Sequence, residues 1–241
     1  MKVELSRFSS DPVCEYAWLG TLEYGEAWEL QRELAKLRAL GELPDTLLLL
    51  EHPPVYTTGR RGAGANLRLP ETMLGAALVE TDRGGDITFH GPGQLIAYPV
   101  MDLREARLGV VDYVRRLEEV IIGTLGHYGI EASVNCGLTG VWVGEEKVAA
   151  IGVRVGRPLG TGGWVTTHGL ALNVDVDLAW FRKIVPCGIA DRGVTSMQEL
   201  VGAAPPVEGI ATVLARQFGE MFRREMRVVD RLLIVSQTSV R

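Results

Sequence analysis

The sequence predicts an α+β domain, and three observations carry that expectation. Strand-like stretches cluster, above all between residues 130 and 176, instead of alternating strictly with helices. Amphipathic helical periodicity is confined to a few long stretches, around 22–40, 110–128 and 207–224. A chain of 241 residues, 46% hydrophobic and 23% charged, can bury a substantial core without disulfide staples. There is no internal repeat, low-complexity segment or linker. The expectation is one catalytic-sized domain over 1–225, followed by a C-terminal tail over 226–241 of no assigned role.

Taken in order, residues 13–19 read as a first strand. Residues 22–40 read as a helix, with Tyr24, Ala27, Trp28, Leu34, Leu37 and Leu40 recurring every third or fourth position before Gly41. Leu47–Leu50 is a short buried strand, broken by His52-Pro53-Pro54 and resumed by Val55–Thr58. Residues 59–66 form a loop. Strands over 78–82 and 95–100 flank a glycine-rich polar stretch. Val110, Tyr113, Val114, Leu117, Val120, Ile121, Leu125 and Tyr128 trace the clearest helix, closed by Gly129. Strand candidates follow at 130–135, 139–143, 147–155 and 164–176. Residues 178–184 form a short helix capped by Asp177. Thr195-Ser196-Met197-Gln198-Glu199 holds two overlapping capping boxes. Residues 207–224 form the last long helix.

Bulk properties exclude some classes. The longest aliphatic run, Leu47–Leu50, is far short of a membrane span, and residues 1–16 carry no apolar signal region. A cytoplasmic protein with no membrane partner is therefore expected. The formal net charge of -5 argues against a general nucleic-acid binder. Cys14, Cys136 and Cys187 have neither disulfide nor zinc spacing. No His/Cys motif points to metal, and no P-loop or GxGxxG opens a helix. The only lysines are Lys2, Lys36, Lys147 and Lys183.

The chemistry-bearing stretch is Arg83-Gly84-Gly85-Asp86-Ile87-Thr88-Phe89-His90-Gly91-Pro92-Gly93-Gln94. Asp86, Thr88 and His90 alternate with Ile87 and Phe89, which suits a strand with one polar and one apolar face. Glycines around it let backbone approach a ligand. It reads either as a pocket wall or as a polar edge hairpin. Cys187 sits in Pro186-Cys187-Gly188, a setting that leaves a sulfur accessible to a substrate but equally fits a small buried hydrophobe. Lys147 opens the second arm of a hairpin before a small apolar run. Partial desolvation there would favour its neutral form, and the alternative is a turn lysine paired with Glu145 or Glu146. His90 and His168 lie beside glycines, His52 looks structural, and His127 sits near a helix end.

Four blocks in order resemble the lipoyl(octanoyl) transferase family: Leu49–Thr57, Arg83–Gln94, Gly140–Val153, and His168–Asn173 followed by Pro186–Gly188. The resemblance covers roughly residues 15–202. It implies a mixed-sheet α+β fold similar to the catalytic domain of biotin protein ligases and lipoate ligases. It implies transfer of an octanoyl group from octanoyl-acyl carrier protein to a lysine of a lipoyl domain. The acceptors it implies are 2-oxoacid dehydrogenase acyltransferase subunits and the glycine cleavage H protein. By the same resemblance Cys187 carries the acyl thioester and Lys147 is its partner. Arg83, Gly84, Gly85, Asp86, Ile87, Thr88, Phe89, His90, Ala150, Ile151, Gly152, Gly169, Leu170 and Ala171 match its acyl-binding segments. Thioester exchange followed by amide formation needs no ATP, and no cofactor is expected. An ATP-dependent ligase on the same fold and a non-catalytic carrier-binding module are the rivals. Arg60, Arg61, Arg154, Arg157, Arg182 and Lys183 are candidates for a basic rim that meets acidic partners.

Overall fold

The structure, a computed structural model, describes residues 11–62, 66–158, 162–188 and 192–238, with only the backbone for Cys187 and residues 237–238. Residues 1–10, and parts of the expected loops at 59–66 and 156–163, lie outside the described residues.

The described chain runs through β1 (Val13–Thr21), α1 (Tyr24–Ala39), β2 (Asp45–Glu51), β3 (Val55–Thr58), β4 (Ala77–Glu80), β5 (Thr88–His90) and β6 (Gln94–Val100). There follow α2 (Val110–His127), β7 (Ser133–Asn135), β8 (Leu138–Val143), β9 (Glu146–Gly156) and β10 (Val165–Asn173). The last elements are β11 (Gly193–Val194), α3 (Met197–Val201), α4 (Val207–Phe222), β12 (Glu225–Val228) and α5 (Arg231–Thr238). Residues 178–184, expected as a short helix, form a 3-10 turn over Leu178–Lys183, with Asp177 accepting from the Ala179 N–H. Of the two overlapping capping boxes, the structure uses Ser196, whose hydroxyl accepts from the Glu199 N–H.

The main sheet has the order β12-β1-β2-β6-β10-β9-β8-β7, with β11 beside β9. β1 is parallel to both β12 and β2, and β6, β10, β9, β8 and β7 then alternate antiparallel. The sheet is thus mixed. Its central strands are buried on both faces, and period-2 alternation sorts their side chains. Leu47 and Leu49 of β2, with Leu95 and Ala97 of β6, join α2 and α4 in one core. Leu48 and Leu50, with Ile96 and Tyr98, join α1 in the other.

The stretch 55–58 does not resume β2. His52-Pro53-Pro54 ends that strand, since proline cannot extend a ladder, and β3 enters a second, three-stranded sheet of order β4-β3-β5. This small sheet carries its own core of Tyr56, Leu74, Ile87, Phe89, Val176, Phe181 and Ile184. The strand expected over 164–176 stops at Asn173, where Val174 and Asp175 both donate to the Gly93 carbonyl. Residues 225–228 pair with β1, and Ile234 of α5 is buried in the α1 core.

One buried carboxylate ties the sheet to its helices. Asp45, 2% exposed, accepts from Arg38 Nε of α1 at 2.7 Å and from Arg224 Nε at 2.8 Å. Replacing Asp45 with alanine would leave Arg224 without its counter-charge and Arg38 with only the exposed Glu105, a change that costs about 3 kcal/mol. Urea denaturation of Asp45→Ala should show a lowered midpoint with that loss, and an unchanged midpoint would contradict it.

Candidate active site

The glycine-rich stretch folds as a loop held from inside. Arg83, 7% exposed, donates through Nη2 to the Thr57 carbonyl at 2.6 Å and the Asp86 carbonyl at 2.7 Å, and through Nη1 to the Gly84 carbonyl at 2.9 Å. The loop is also pinned to β9, with the Gly84 N–H donating to the Val153 carbonyl at 2.9 Å. A side chain at Gly152 would place its Cβ 2.9 Å from the Gly84 carbonyl oxygen, so only glycine lets loop and strand approach this closely.

β5 shows the two faces expected from its alternation. Ile87 and Phe89 enter the core of the small sheet, where Phe89 stacks on Trp180 at 4.9 Å. Asp86, Thr88 and His90 face an inner cavity. The strand is an edge strand, as the alternative reading had it, but a buried one that forms a pocket wall.

Of the residues that match acyl-binding segments, Arg83, Gly85, Asp86, Thr88, His90, Ala150, Ile151, Gly152, Gly169, Leu170 and Ala171 line this inner cavity. Ile87 and Phe89 do not. Gly84 lies in an adjoining outer cleft, which shares Gly85, Ile151 and Gly152 with the inner one. Lys147 and Gly188 also line the outer cleft, so the lysine and the cysteine turn open onto one space. That turn, Pro186–Gly188, lies beside Asp86, and a Cβ at Gly188 would stand 3.4 Å from Asp86 Oδ2. The Cys187 side chain is outside the described residues. Lys147 is 6% exposed. Its Nζ donates to the Thr139 carbonyl at 3.1 Å and lies 4.7 Å from the Trp142 ring centre. Glu145 instead pairs with Arg192.

Three cavity residues escape the sequence reading as site members. Tyr24 came out as helix core by its spacing, Tyr98 as strand, and His168 as a polar strand residue beside glycine. His168 is 1% exposed, has a left-handed φ of 57°, and gives its backbone N–H to Gln31 Oε1 at 2.6 Å. Its Nε2 donates to Asp82 Oδ1 at 2.8 Å and its Nδ1 faces the Tyr24 hydroxyl at 3.4 Å. The Gln94 amide donates to Asn173 Oδ1, so Gln94 Oε1 accepts from His90 Nδ1 at 2.8 Å. That leaves His90 Nε2 to accept from the Thr57 hydroxyl at 3.3 Å. His52 Nδ1 donates to the Leu22 carbonyl, and its Nε2 accepts from Tyr98.

Burial keeps these groups uncharged. It lowers His52 from 6.5 to about 4 and pushes His90 well below the usual imidazole range. It also lowers His168 against the opposing pull of Asp82, and raises Tyr24 to about 12. The cavity therefore brings neutral rings together with the aliphatic Ala150, Ile151, Leu170 and Ala171, beside Arg83 and Asp86.

The catalytic-domain family of lipoyl protein ligases A and B matches residues 23–219, and so spans both clefts. The chain belongs to this family. Within it, the chain is 49% identical over 209 residues to an octanoyltransferase of Rubrobacter xylanophilus, covering 84% of this chain and 90% of the relative. Among solved structures, it resembles the bipartite lipoate protein ligase of Thermoplasma acidophilum, studied with its E2 lipoyl domain, at TM-score 0.70 and 16% identity, covering 95% of this chain and 93% of that one. It also resembles the biotin protein ligase of Aquifex aeolicus in complex with biotin and ATP, at TM-score 0.54 and 14% identity, over 87% and 70% of the two chains. The fold expected from the resemblance is the fold found.

The candidate basic rim divides. Arg61 lines the outer cleft of this family member, while Arg60 and Arg182 are exposed. Arg154 pairs with Asp82 at 2.8 Å, and Arg157 stacks over Trp164. Lys183 donates to the Leu74 carbonyl and lies over Trp180.

The buried histidines make stability depend on pH. His52 has its ordinary value of 6.5 when unfolded and about 4 when folded. The unfolded chain therefore binds more protons in that window, and stability is lost as pH falls from about 6.5 towards 4. His90 and His168 act in the same direction. Urea midpoints measured from pH 7 down to pH 4 should fall, and His52→Gln should flatten the slope. A slope unaltered by that substitution would remove His52 from the effect.

Proposed function

We propose that this cleft moves an octanoyl group from acyl carrier protein to the acceptor lysine of a lipoyl domain through a thioester on Cys187. Curated relatives 43–49% identical to the chain are octanoyltransferases, and the chain is a transferase of that kind. The observation that carries the finer reading is the shared outer cleft. Lys147 and the Cys187 turn border one space, and that space continues into a cavity of neutral rings and aliphatic side chains that Arg83 and Asp86 also line.

In the first step the Cys187 sulfur attacks the donor's thioester carbon. The carbon–sulfur bond to the carrier breaks, and the carrier thiol leaves with the proton taken from Cys187. In the second step the acceptor amine attacks the Cys187 thioester. A carbon–nitrogen bond forms, the cysteine sulfur leaves, and Lys147 takes the amine's proton. Thioester exchange is close to balanced and amide formation runs downhill, so no ATP is consumed. The inner cavity receives the acyl chain. Exposed, unpaired Cys136 suits the reducing cytoplasm, where we place the reaction.

Purified protein should transfer octanoyl from its carrier to an apo lipoyl domain without ATP, and an absolute need for ATP would point to a ligase instead. Cys187→Ala should abolish both transfer and the mass increase of the acyl-enzyme, while Cys14→Ala and Cys136→Ala leave them largely intact. A fully active Cys187→Ala would end the covalent mechanism.

Lys147→Arg should be nearly as damaging as Lys147→Ala, because arginine keeps the charge but cannot take up the amine's proton. Single-turnover transfer from preformed acyl-enzyme reads this directly. Near wild-type turnover in Lys147→Arg would reduce the lysine to an electrostatic partner.

A further inference from the structure

Glu118 lies on the buried face of α2 beside Leu117, Val120 and Ile121, and is 4% exposed. A carboxylate among aliphatic side chains is costly unless it is hydrogen-bonded. Its Oε1 accepts from the Gly140 N–H at 3.1 Å. Its Oε2 has no hydrogen-bond partner among the described residues and faces Arg115 Nη1 at 3.7 Å.

The Gly140 N–H is one end of a single peptide group whose other end is the Thr139 carbonyl. That carbonyl accepts from Lys147 Nζ at 3.1 Å. The carboxylate, the peptide and the amine thus form one chain: Glu118 Oε1, the Gly140 N–H, the Thr139 carbonyl, then Lys147 Nζ. The chain has little freedom. Gly140 has φ +120°, and a Cβ there would lie 2.6 Å from the Ala149 carbonyl oxygen and 3.3 Å from Lys147 Cε. No other residue could hold this peptide in place without displacing the lysine.

We infer that Glu118 is a positioning residue for Lys147, acting through the Thr139–Gly140 peptide. A negative charge on the N–H side of an amide polarises it and strengthens its carbonyl as an acceptor. The carboxylate also fixes the plane of that peptide, and so the direction in which Nζ is held at the cleft. This deepens the role proposed for Lys147 and rests on it for its bearing on catalysis. The physical coupling between Glu118 and Lys147 is measurable by itself.

Glu118→Gln is the informative variant, since its side-chain oxygen can still accept from Gly140 while the charge is gone. Glu118→Ala strips the partner from a buried N–H, a loss of about 1–3 kcal/mol in stability, and serves as the comparison for folding. At about pH 8, Lys147 in Glu118→Gln should react several-fold faster with formaldehyde and borohydride, followed by mass spectrometry of its peptide, because a weaker Thr139 acceptor holds Nζ less firmly and leaves it more accessible to the reagent. The Gly140 amide proton resonance should move upfield. Octanoyl transfer should slow about tenfold with KM for the donor unchanged. A merely structural Glu118 would alter the melting temperature and leave Lys147 reactivity where it was.

Wild-type Lys147 reactivity and an unmoved Gly140 resonance in Glu118→Gln would overturn the inference, whatever the activity. Full activity in Lys147→Ala would instead overturn the proposed catalytic role of the lysine. The labelling result would still decide whether Glu118 controls it.

Discussion

The guanidinium of Arg83 is almost wholly removed from water, and its donors meet the carbonyls of Thr57, Gly84 and Asp86. A buried cation is tolerable only if such dipoles are held against it, so the backbone of the loop has little choice of path. The consequences spread by hydrogen bonds. Thr57 Oγ1 accepts from Arg83 and so donates to His90. His90 donates to Gln94, Gln94 to Asn173, and Asn173 to the Thr195 carbonyl. The Thr195 N–H returns to the Lys147 carbonyl. Loop, histidine and lysine strand are thereby registered to one another across both sheets.

That registration explains which parts of the fold were legible in the sequence. Leu47–Leu50 announces a strand buried on both faces, and the helical stripe from Tyr113 to Leu125 announces α2, because each pattern is local and periodic. The second sheet was not legible. Nothing in Val55–Thr58 distinguishes a resumed strand from one paired with residues 22 to 35 positions away, and only the pairing with β4 and β5 decides it. β12 was equally silent, since Glu225–Val228 is an edge strand with mostly exposed side chains and no clean alternation.

The candidate site divides in the same way. The alternation from Asp86 to His90 lies within one strand, so its two faces could be read directly. Lys147 was ambiguous because Glu145 and Glu146 stand beside it in sequence. In the structure Glu145 turns to Arg192, and the lysine turns inward to a carbonyl and an indole face. Tyr24, Tyr98, His168 and Asp82 come from four distant segments and have no common sequence signal. Glu118, in the pair Glu118-Glu119, reads as ordinary helix charge until the register of α2 against β8 brings it to Gly140.

Depth also separates the kinds of chemistry. Lys147 and Arg61 line the outer cleft. The inner cavity holds imidazoles and phenols that burial keeps neutral, beside aliphatic wall residues, with Arg83 tied to loop carbonyls and Asp86 accepting from the Ile87 N–H. An acyl chain entering it gains about 0.8 kcal/mol for each methylene removed from water, and the neutral rings take little of that back. The gain arises far from the reacting carbon. It can therefore hold the carbonyl at the mouth, where orientation lowers the barrier, rather than tighten contacts at the bond that must break. In this arrangement a hydrogen-bonded lysine and a partly aliphatic cavity are two halves of one device. In the proposed transfer the cavity would fix where the carbonyl stops, and the peptide behind Lys147 would hold the base that receives the acceptor amine's proton.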